Sequence, residues 1–201
     1  MTEYFEGVGE DLRERLALAP RLLDWACNGE LGVDEDHPRY ATVTEGRDVG
    51  AMRAKYSSCA DLPHWMLFRE GVRAPWLNRQ EHKGWRPGLN VSLLAYQAPV
   101  QCQRTPVPGQ RFEPGDTLIV WNDAEGKDAH VMVVYEHAGE KLVVAEYGQP
   151  GGHIKERALH SEGFHLYVGK RRLQRWLPLA AVIGYCAEND LLVDVDLPEG
   201  L

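Results

Sequence analysis

Three residues that lie far apart in the chain have side chains that could act together on a carbonyl group: Cys59, His130 and Glu146. An apolar helical pattern begins just after Cys59, and Ser57 and Ser58 precede it as natural helix caps. The thiol is therefore predicted to lie at a helix N-terminus, where the dipole and the free N–H groups favour a thiolate. The same N–H groups can stabilise the oxyanion that forms when a thiolate attacks a carbonyl. The competing interpretation is a small buried core residue, because free cysteines are among the most buried residue types.

A nucleophilic cysteine needs an imidazole as its base and a polar group that orients the imidazole. His130 opens a predicted strand, since the next five residues, 131–135, are all apolar or aromatic. Glu146 ends the following apolar run, 141–146, and a hairpin of this length could place it beside His130. A carboxylate there would fix the tautomer and stabilise the imidazolium. Taken singly, His130 could equally be an exposed histidine at a strand edge, and Glu146 a solvated carboxylate at a strand end.

Apolar spacing predicts three helical regions in the first half of the chain. The leucines of residues 9–28 fall mostly on one helical face, but Pro20 should split this region into two short helices. A second region follows Cys59 and ends near Gly71, and a third covers residues 90–96. The helical residues therefore precede the strands.

The second half of the chain is rich in β-branched residues and turn signals. The tripeptide Pro114-Gly115-Asp116 is a turn that opens the first strand, and short loops between the later strands predict an antiparallel meander. Predicted strands cover residues 117–121, 130–135, 141–146, 165–168 and 181–185. The predicted fold class is α+β, with N-terminal helices packed on a central antiparallel β-sheet.

The overall charge limits the classes of partner. The 201 residues carry a formal net charge of −8, and the lysines and arginines are scattered apart from the run 170–172. A broad basic face for nucleic acid is therefore not expected. The first residues lack the basic start and apolar run of a secretory signal, and no apolar segment approaches the ~20 residues of a membrane span. We expect a chain that is synthesised in the cytoplasm and that another agent must release if it acts at a cell wall.

The four cysteines are widely spaced and form no CxxC pair, so neither a zinc site nor a dense disulfide framework is indicated. The histidines show no spacing typical of a metal site. We expect neither a metal nor another cofactor.

The order of these features resembles one family of enzymes. The chain is similar to the NlpC/P60 and CHAP peptidases in the order of four features. These are a Tyr-Ser-Ser-Cys sequence that ends at Cys59, a Pro-Gly-Asp turn before an apolar strand, His130 at the start of a strand, and a polar residue at the end of the next strand. The resemblance covers about residues 56–156. It implies a papain-like fold in which Cys59 is the nucleophile, His130 the base and Glu146 the acidic residue that orients the base. Tyr56 matches a tyrosine often found just before the cysteine, where its hydroxyl can face the thiol.

The sequence departs from the family pattern at two points. CHAP-like members commonly have an asparagine two residues beyond the glutamate, where this chain has Gly148 followed by Gln149, so the third catalytic residue could be Glu146 or Gln149. Pro63 cannot donate a backbone hydrogen bond, so the helix after the cysteine must begin late or have an irregular first turn. The position of the oxyanion hole is left open.

The resemblance also implies an organisation and an activity. Residues 51–190 would form the catalytic domain, with a helical extension at 1–50 packed on it and a tail at 191–201. The implied reaction is hydrolysis of an amide or isopeptide bond through a thioester, most naturally in peptidoglycan peptide stems, as in a phage lysin. The same thioester could also serve an acyltransferase or a deamidase. A third hypothesis is an inactive binding or phage structural module that makes contacts through the loop around Trp76 and Trp85.

Overall fold

A computed structural model describes residues 10–28, 59–77, 97–122, 127–146 and 153–194. In these ranges three α-helices are Glu10–Asn28 (α1), Asp61–Arg69 (α2) and Leu179–Glu188 (α3). The strands are Thr117–Asn122 (β1), Lys127–Ala138 (β2), Lys141–Glu146 (β3), His153–Glu162 (β4), His165–Val168 (β5) and Arg171–Leu177 (β6). The α+β class is confirmed, and so are the strands predicted at 117–121, 130–135, 141–146 and 165–168. The helix predicted at 90–96 lies outside the described residues.

The sheet is an antiparallel meander that closes on itself. Each strand pairs with the next, and β6 returns to pair with β1, so that the six described strands form a barrel. Leu118 of β1 faces Trp176 of β6 across the closing pair. Closure removes the two free strand edges that an open central sheet would have.

The sequence does not predict β4 and β6, which complete the barrel. β6 contains three arginines in seven residues, and β4 contains six charged or histidine residues in ten, so their apolar positions are hard to recognise as strand patterns. Leu159, Leu173 and Trp176 are nevertheless buried. The other described side chains of these two strands, apart from Leu177, are half-buried or exposed.

The prediction of a strand at residues 181–185 is wrong, because this segment belongs to α3. Its β-branched residues favour a strand when they are considered alone. The buried residues of the helix, however, are Leu179, Val182, Ile183 and Cys186, which follow helical spacing. The helical spacing of the buried residues therefore describes this segment better than the strand preference of its β-branched residues.

The split predicted at Pro20 is also wrong, since α1 continues through it. A proline inside a helix costs about 3 kcal/mol or more. Ala19, Leu22 and Leu23 are fully buried on either side of Pro20 and pack into the core. Burial of these side chains offsets the cost of the proline.

Two hydrophobic clusters lie on opposite faces of the barrel wall. Val131 and Val133 of β2 belong to a cluster that includes residues of all three helices, the helix-side cluster. Met132 and Val134, which alternate with them, belong to a second cluster formed by strand residues and Phe112. The strand is buried on both faces, which explains its unbroken apolar sequence.

The Pro-Gly-Asp turn joins the barrel to the helices. Gly115 has a φ of +90°, and a Cβ at this position would lie against Leu179 and 2.8 Å from the Cβ of Ala19. The Asp116 carboxylate accepts the N–H of Leu179, the first residue of α3, at 3.0 Å. This turn therefore lets α1 and α3 approach β1 and caps α3 at the same time.

The end of the described chain packs back on α2. The Arg73 N–H donates to the Leu191 carbonyl at 2.8 Å, and the Val193 N–H donates to the Gly71 carbonyl at 3.0 Å. Residues 71–73 and 191–193 thus hydrogen-bond to each other directly after the ends of α2 and α3. Among the described helices, none combines the length and the apolar composition needed to cross a membrane.

Candidate active site

Cys59 lies in the turn directly before α2, as the sequence predicts, and its side chain is half-buried against the helix-side cluster. The helix begins at Asp61 and its N-cap is Ala60, which makes no side-chain capping bond. Ser57 and Ser58, which the sequence predicts as caps, precede this N-cap position in the chain. Both serines lie outside the described residues.

The late start of the helix also explains how Pro63 is tolerated. Pro63 is the third residue of α2, in the first turn, where a backbone N–H has no intrahelical acceptor in any case. The carbonyl four residues earlier belongs to Cys59, which precedes the helix. Helix geometry leaves the N–H groups of Ala60, Asp61 and Leu62 free of intrahelical bonds, so donors for an oxyanion exist beside the thiol.

The β2–β3 hairpin brings His130 and Glu146 together. Val133 pairs with Ala145, and continuing this register sets Glu146 opposite Met132, with His130 as its diagonal neighbour on the same face. The His130 Nε2 and the Glu146 Oε2 are 3.1 Å apart. The β1–β2 register shifts between Val120 and Trp121, next to His130, and such bulges commonly redirect a side chain near a site.

His130 also contacts Cys59. Burial by itself would lower the pKa of His130, but side-chain hydrogen bonds with Cys59 and Glu146, together with their charges, outweigh burial and raise it. Because Glu146 occupies Nε2, the other ring nitrogen, Nδ1, is the one left for the thiol. The imidazole is thus set between a sulfur and a carboxylate, and its protonated form is favoured.

Glu146 is held on its other side by Arg157 of β4. The Arg157 Nε and Nη2 groups lie 2.7 Å and 2.6 Å from Glu146 Oε1, whereas Oε2 faces His130. Burial raises the pKa of Glu146, but the hydrogen bonds and charges of His130 and Arg157 prevail and lower it to about 2. The carboxylate therefore stays ionised at neutral pH. The sequence does not single out Arg157, because on a charged strand it resembles an ordinary surface arginine.

Several other residues named from the sequence cannot be placed relative to this group. Tyr56, Gly148 and Gln149 lie outside the described residues, and so does Trp85. Trp76 is only 9% exposed and packs in the helix-side cluster, so it does not form a contact surface as the binding-module hypothesis requires.

Two other cysteines provide a comparison with Cys59. Cys102 and Cys186 are fully buried. Burial, followed by the proximity of Cys186, raises the pKa of Cys102 to about 12, and burial raises that of Cys186 to about 11. Neither thiol is placed to react, whereas Cys59 is half-buried and has an imidazole in contact.

A cavity of about 820 Å³ lies at the far end of the β2–β3 hairpin, where its lining includes His137, Glu140, Leu159 and Ser161. The His137 Nδ1 accepts the Phe112 N–H at 3.0 Å, and its Nε2 donates to the Gly139 carbonyl at 2.9 Å. Because both ring nitrogens are engaged by the main chain, His137 is not available as a base. Among the described residues, no group of three or more His, Cys, Asp or Glu side chains is arranged to hold a metal ion.

No family model, no curated protein and no solved structure matches this chain. The site itself consists of a half-buried thiol, an imidazole in contact with it, and a carboxylate hydrogen-bonded to the imidazole.

Proposed function

We propose that this protein is a cysteine hydrolase that cleaves an amide or isopeptide bond. The observation that carries the proposal is the hydrogen-bonded series Cys59, His130 and Glu146. Covalent acyl transfer uses such an arrangement: a nucleophile, a base and a group that orients the base. Burial of the His130 and Glu146 side chains, which are 16% and 10% exposed, limits competition from water.

The reaction would begin when the Cys59 thiol gives its proton to His130 Nδ1. The thiolate attacks the carbonyl carbon, and N–H groups at the start of α2 stabilise the oxyanion. When the C–N bond breaks, the imidazolium gives its proton to the leaving amine and a thioester remains. Water then attacks the thioester while His130 takes a proton from that water. The C–S bond breaks, the acid product leaves, and the imidazolium returns the proton to the Cys59 thiolate. Glu146 stays ionised throughout and stabilises the imidazolium.

The proposal includes a papain-like arrangement of the NlpC/P60 type. Two observations support it. The cysteine precedes a helix that packs on the sheet, and the histidine and the acidic residue lie on consecutive antiparallel strands. The substrate proposed from the same resemblance is a peptide stem of peptidoglycan. The chain has a net charge of −8, so recognition of an anionic cell wall would depend on local contacts near the site.

The test is the release of new amino groups from purified peptidoglycan. Wild-type protein is expected to release them, and Cys59→Ala to release none above background. Cys102→Ala is the matched control, since it also removes a thiol, but one that is fully buried, and it should retain activity if folded. Release by Cys59→Ala at the wild-type rate would overturn the proposal. Transfer to an added amine such as glycinamide, with the same dependence on Cys59, would indicate an acyltransferase.

A further inference from the structure

Arg157 makes the most specific polar contact that the proposed mechanism leaves unused. Two of its N–H groups donate to the same oxygen of Glu146, Oε1, at 2.6 Å and 2.7 Å. The other oxygen, Oε2, faces His130 at 3.1 Å. Each carboxylate oxygen thus has its own partner, and the two contacts together fix the plane of the Glu146 carboxylate.

Arg157 reaches Glu146 across the β3–β4 pair. Its register partner is Leu142, so the side chain extends along the strand toward Glu146, whose own register partner is His153. The Arg157 side chain is 37% exposed, while Glu146 is 10% exposed. Arg157 is therefore the more solvent-accessible partner of this ion pair.

The four groups alternate in charge when the site is in its ion-pair form: thiolate, imidazolium, carboxylate and guanidinium. Without Arg157, the three half-buried groups would carry a net charge of −1, which burial disfavours. With Arg157 their charges sum to zero. Among the described side chains, the titratable and charged groups that act on Glu146 are His130 from β2 and Arg157 from β4, with Cys59 beyond His130.

We propose that Arg157 is a positioning residue of this site, which holds Glu146 ionised and directs its second oxygen to His130. The inference rests on the proposed function, because it assigns Arg157 a part in the same reaction. Arg157 touches neither the thiol nor the imidazole in the described contacts, and it acts through Glu146 alone.

The experiment compares Arg157→Gln, which removes the charge, with Arg157→Lys, which keeps the charge but loses the paired Nε and Nη2 contacts with Glu146. Lys155→Gln is the matched control, because Lys155 is an exposed cation two residues away on the same strand. Two properties are measured: the titration of the Glu146 carboxyl by ¹³C NMR, assigned with Glu146→Gln, and the pH profile of Cys59 alkylation by iodoacetamide.

In Arg157→Gln the Glu146 titration should move upward by about 1 to 3 pH units, since loss of a nearby opposite charge has this effect. The acid limb of the alkylation profile should move in the same direction. Arg157→Lys should lie between this variant and wild type, and Lys155→Gln should match wild type. A merely structural arginine would lower alkylation at every pH without moving the Glu146 titration.

An unchanged Glu146 titration in a folded Arg157→Gln would overturn the inference, and if that variant fails to fold, an unchanged titration in Arg157→Lys would do so. Both readouts are independent of hydrolysis. If the hydrolase proposal is wrong, no substrate is cleaved although the Glu146 titration still responds to Arg157. If only the Arg157 inference is wrong, Cys59-dependent hydrolysis persists and the titration does not move.

Discussion

Glu146 is the residue on which the site depends most at the level of single side chains. Burial opposes its charge, yet His130 and Arg157 lower its pKa to about 2. Its carboxylate in turn helps to raise the pKa of His130 against the effect of burial. The protonation states of the two residues are therefore coupled, and a change in one is expected to appear in the titration of the other.

Replacing Glu146 with glutamine should lower kcat/KM by about 10²- to 10⁴-fold, the range expected when a base loses the group that orients it. The alkaline limb of the pH profile should move to lower pH, because His130 loses the negative charge that raises its pKa. Glu156→Gln is the control, since Glu156 is exposed on β4 and pairs with Lys141. An alkaline limb unchanged by Glu146→Gln would show that the carboxylate does not act on the imidazole.

Hairpin length was enough to predict that Glu146 lies beside His130, because two consecutive antiparallel strands bring such positions together. Arg157 could not be found in the same way. Its contact depends on the register of β4, a strand whose charged sequence hides its own pattern. The catalytic roles of Cys59, His130 and Glu146 stay predictions, and Tyr56 lies outside the described residues.

At the level of elements, the Pro-Gly-Asp turn is where the helices and the barrel are joined. Gly115 combines a positive φ with close contacts to α1 and α3. Asp116 accepts N–H groups from Glu113 and Leu179, both at 3.0 Å, so one side chain stabilises the turn and caps α3. This turn therefore has a structural role in this chain that does not depend on catalysis.

Gly115→Ala should destabilise the protein by about 2 to 4 kcal/mol, because the new Cβ combines backbone strain with overpacking against Leu179 and Ala19. Gly139→Ala separates the two effects. Gly139 also has a positive φ, +63°, but a Cβ there would meet nothing within 4 Å, so about 1 kcal/mol is expected. Urea unfolding of both variants measures the difference, and equal losses would contradict the packing argument.

The helices and strands whose prediction is confirmed each have a hydrophobic pattern typical of one kind of secondary structure. β1 and β3 are apolar runs bounded by turns, and α2 follows a clear helical stripe. The prediction of a strand at 181–185 is wrong because residues such as Val182 and Ile183 favour strands locally. The buried stripe that makes this segment a helix begins at Leu179, before the predicted strand. The continuity of α1 through Pro20 depends on tertiary packing, which local rules do not include.

At the level of the whole molecule, buried acids make stability depend on pH. Glu70 is 1% exposed, and neither of its carboxylate oxygens has a hydrogen-bond partner among the described residues. Burial raises its pKa to about 8, although the charge of Arg15 lowers it in part. Burial also raises the pKa of Asp116 to about 7, against the hydrogen bonds from Glu113 and Leu179.

The free energy of unfolding should therefore fall as pH rises from 5 to 7. In this interval the folded protein keeps a proton on Glu70, whereas the unfolded chain releases it near the ordinary value of 4.5, so the unfolded state binds fewer protons. Each such group contributes a slope of at most about 1.4 kcal/mol per pH unit. Glu70→Gln removes one of them and should flatten the dependence.

Urea denaturation at pH 5, 6 and 7 measures this effect. The control is Glu188→Gln, which replaces an exposed glutamate at the end of α3 and should keep the wild-type slope. Should Glu70→Gln and wild type lose stability equally between pH 5 and 7, Glu70 would not be the protonated group.

The central claim is that Cys59 and His130 act as a nucleophile and its base. The most direct measurement is the rate of iodoacetamide alkylation at each cysteine at pH 6, by peptide mapping, in wild type and His130→Asn. The account predicts that Cys59 reacts at least about tenfold faster than Cys102 and Cys186 in wild type, and that His130→Asn removes most of this advantage. Equal rates at Cys59 in the two proteins would contradict it.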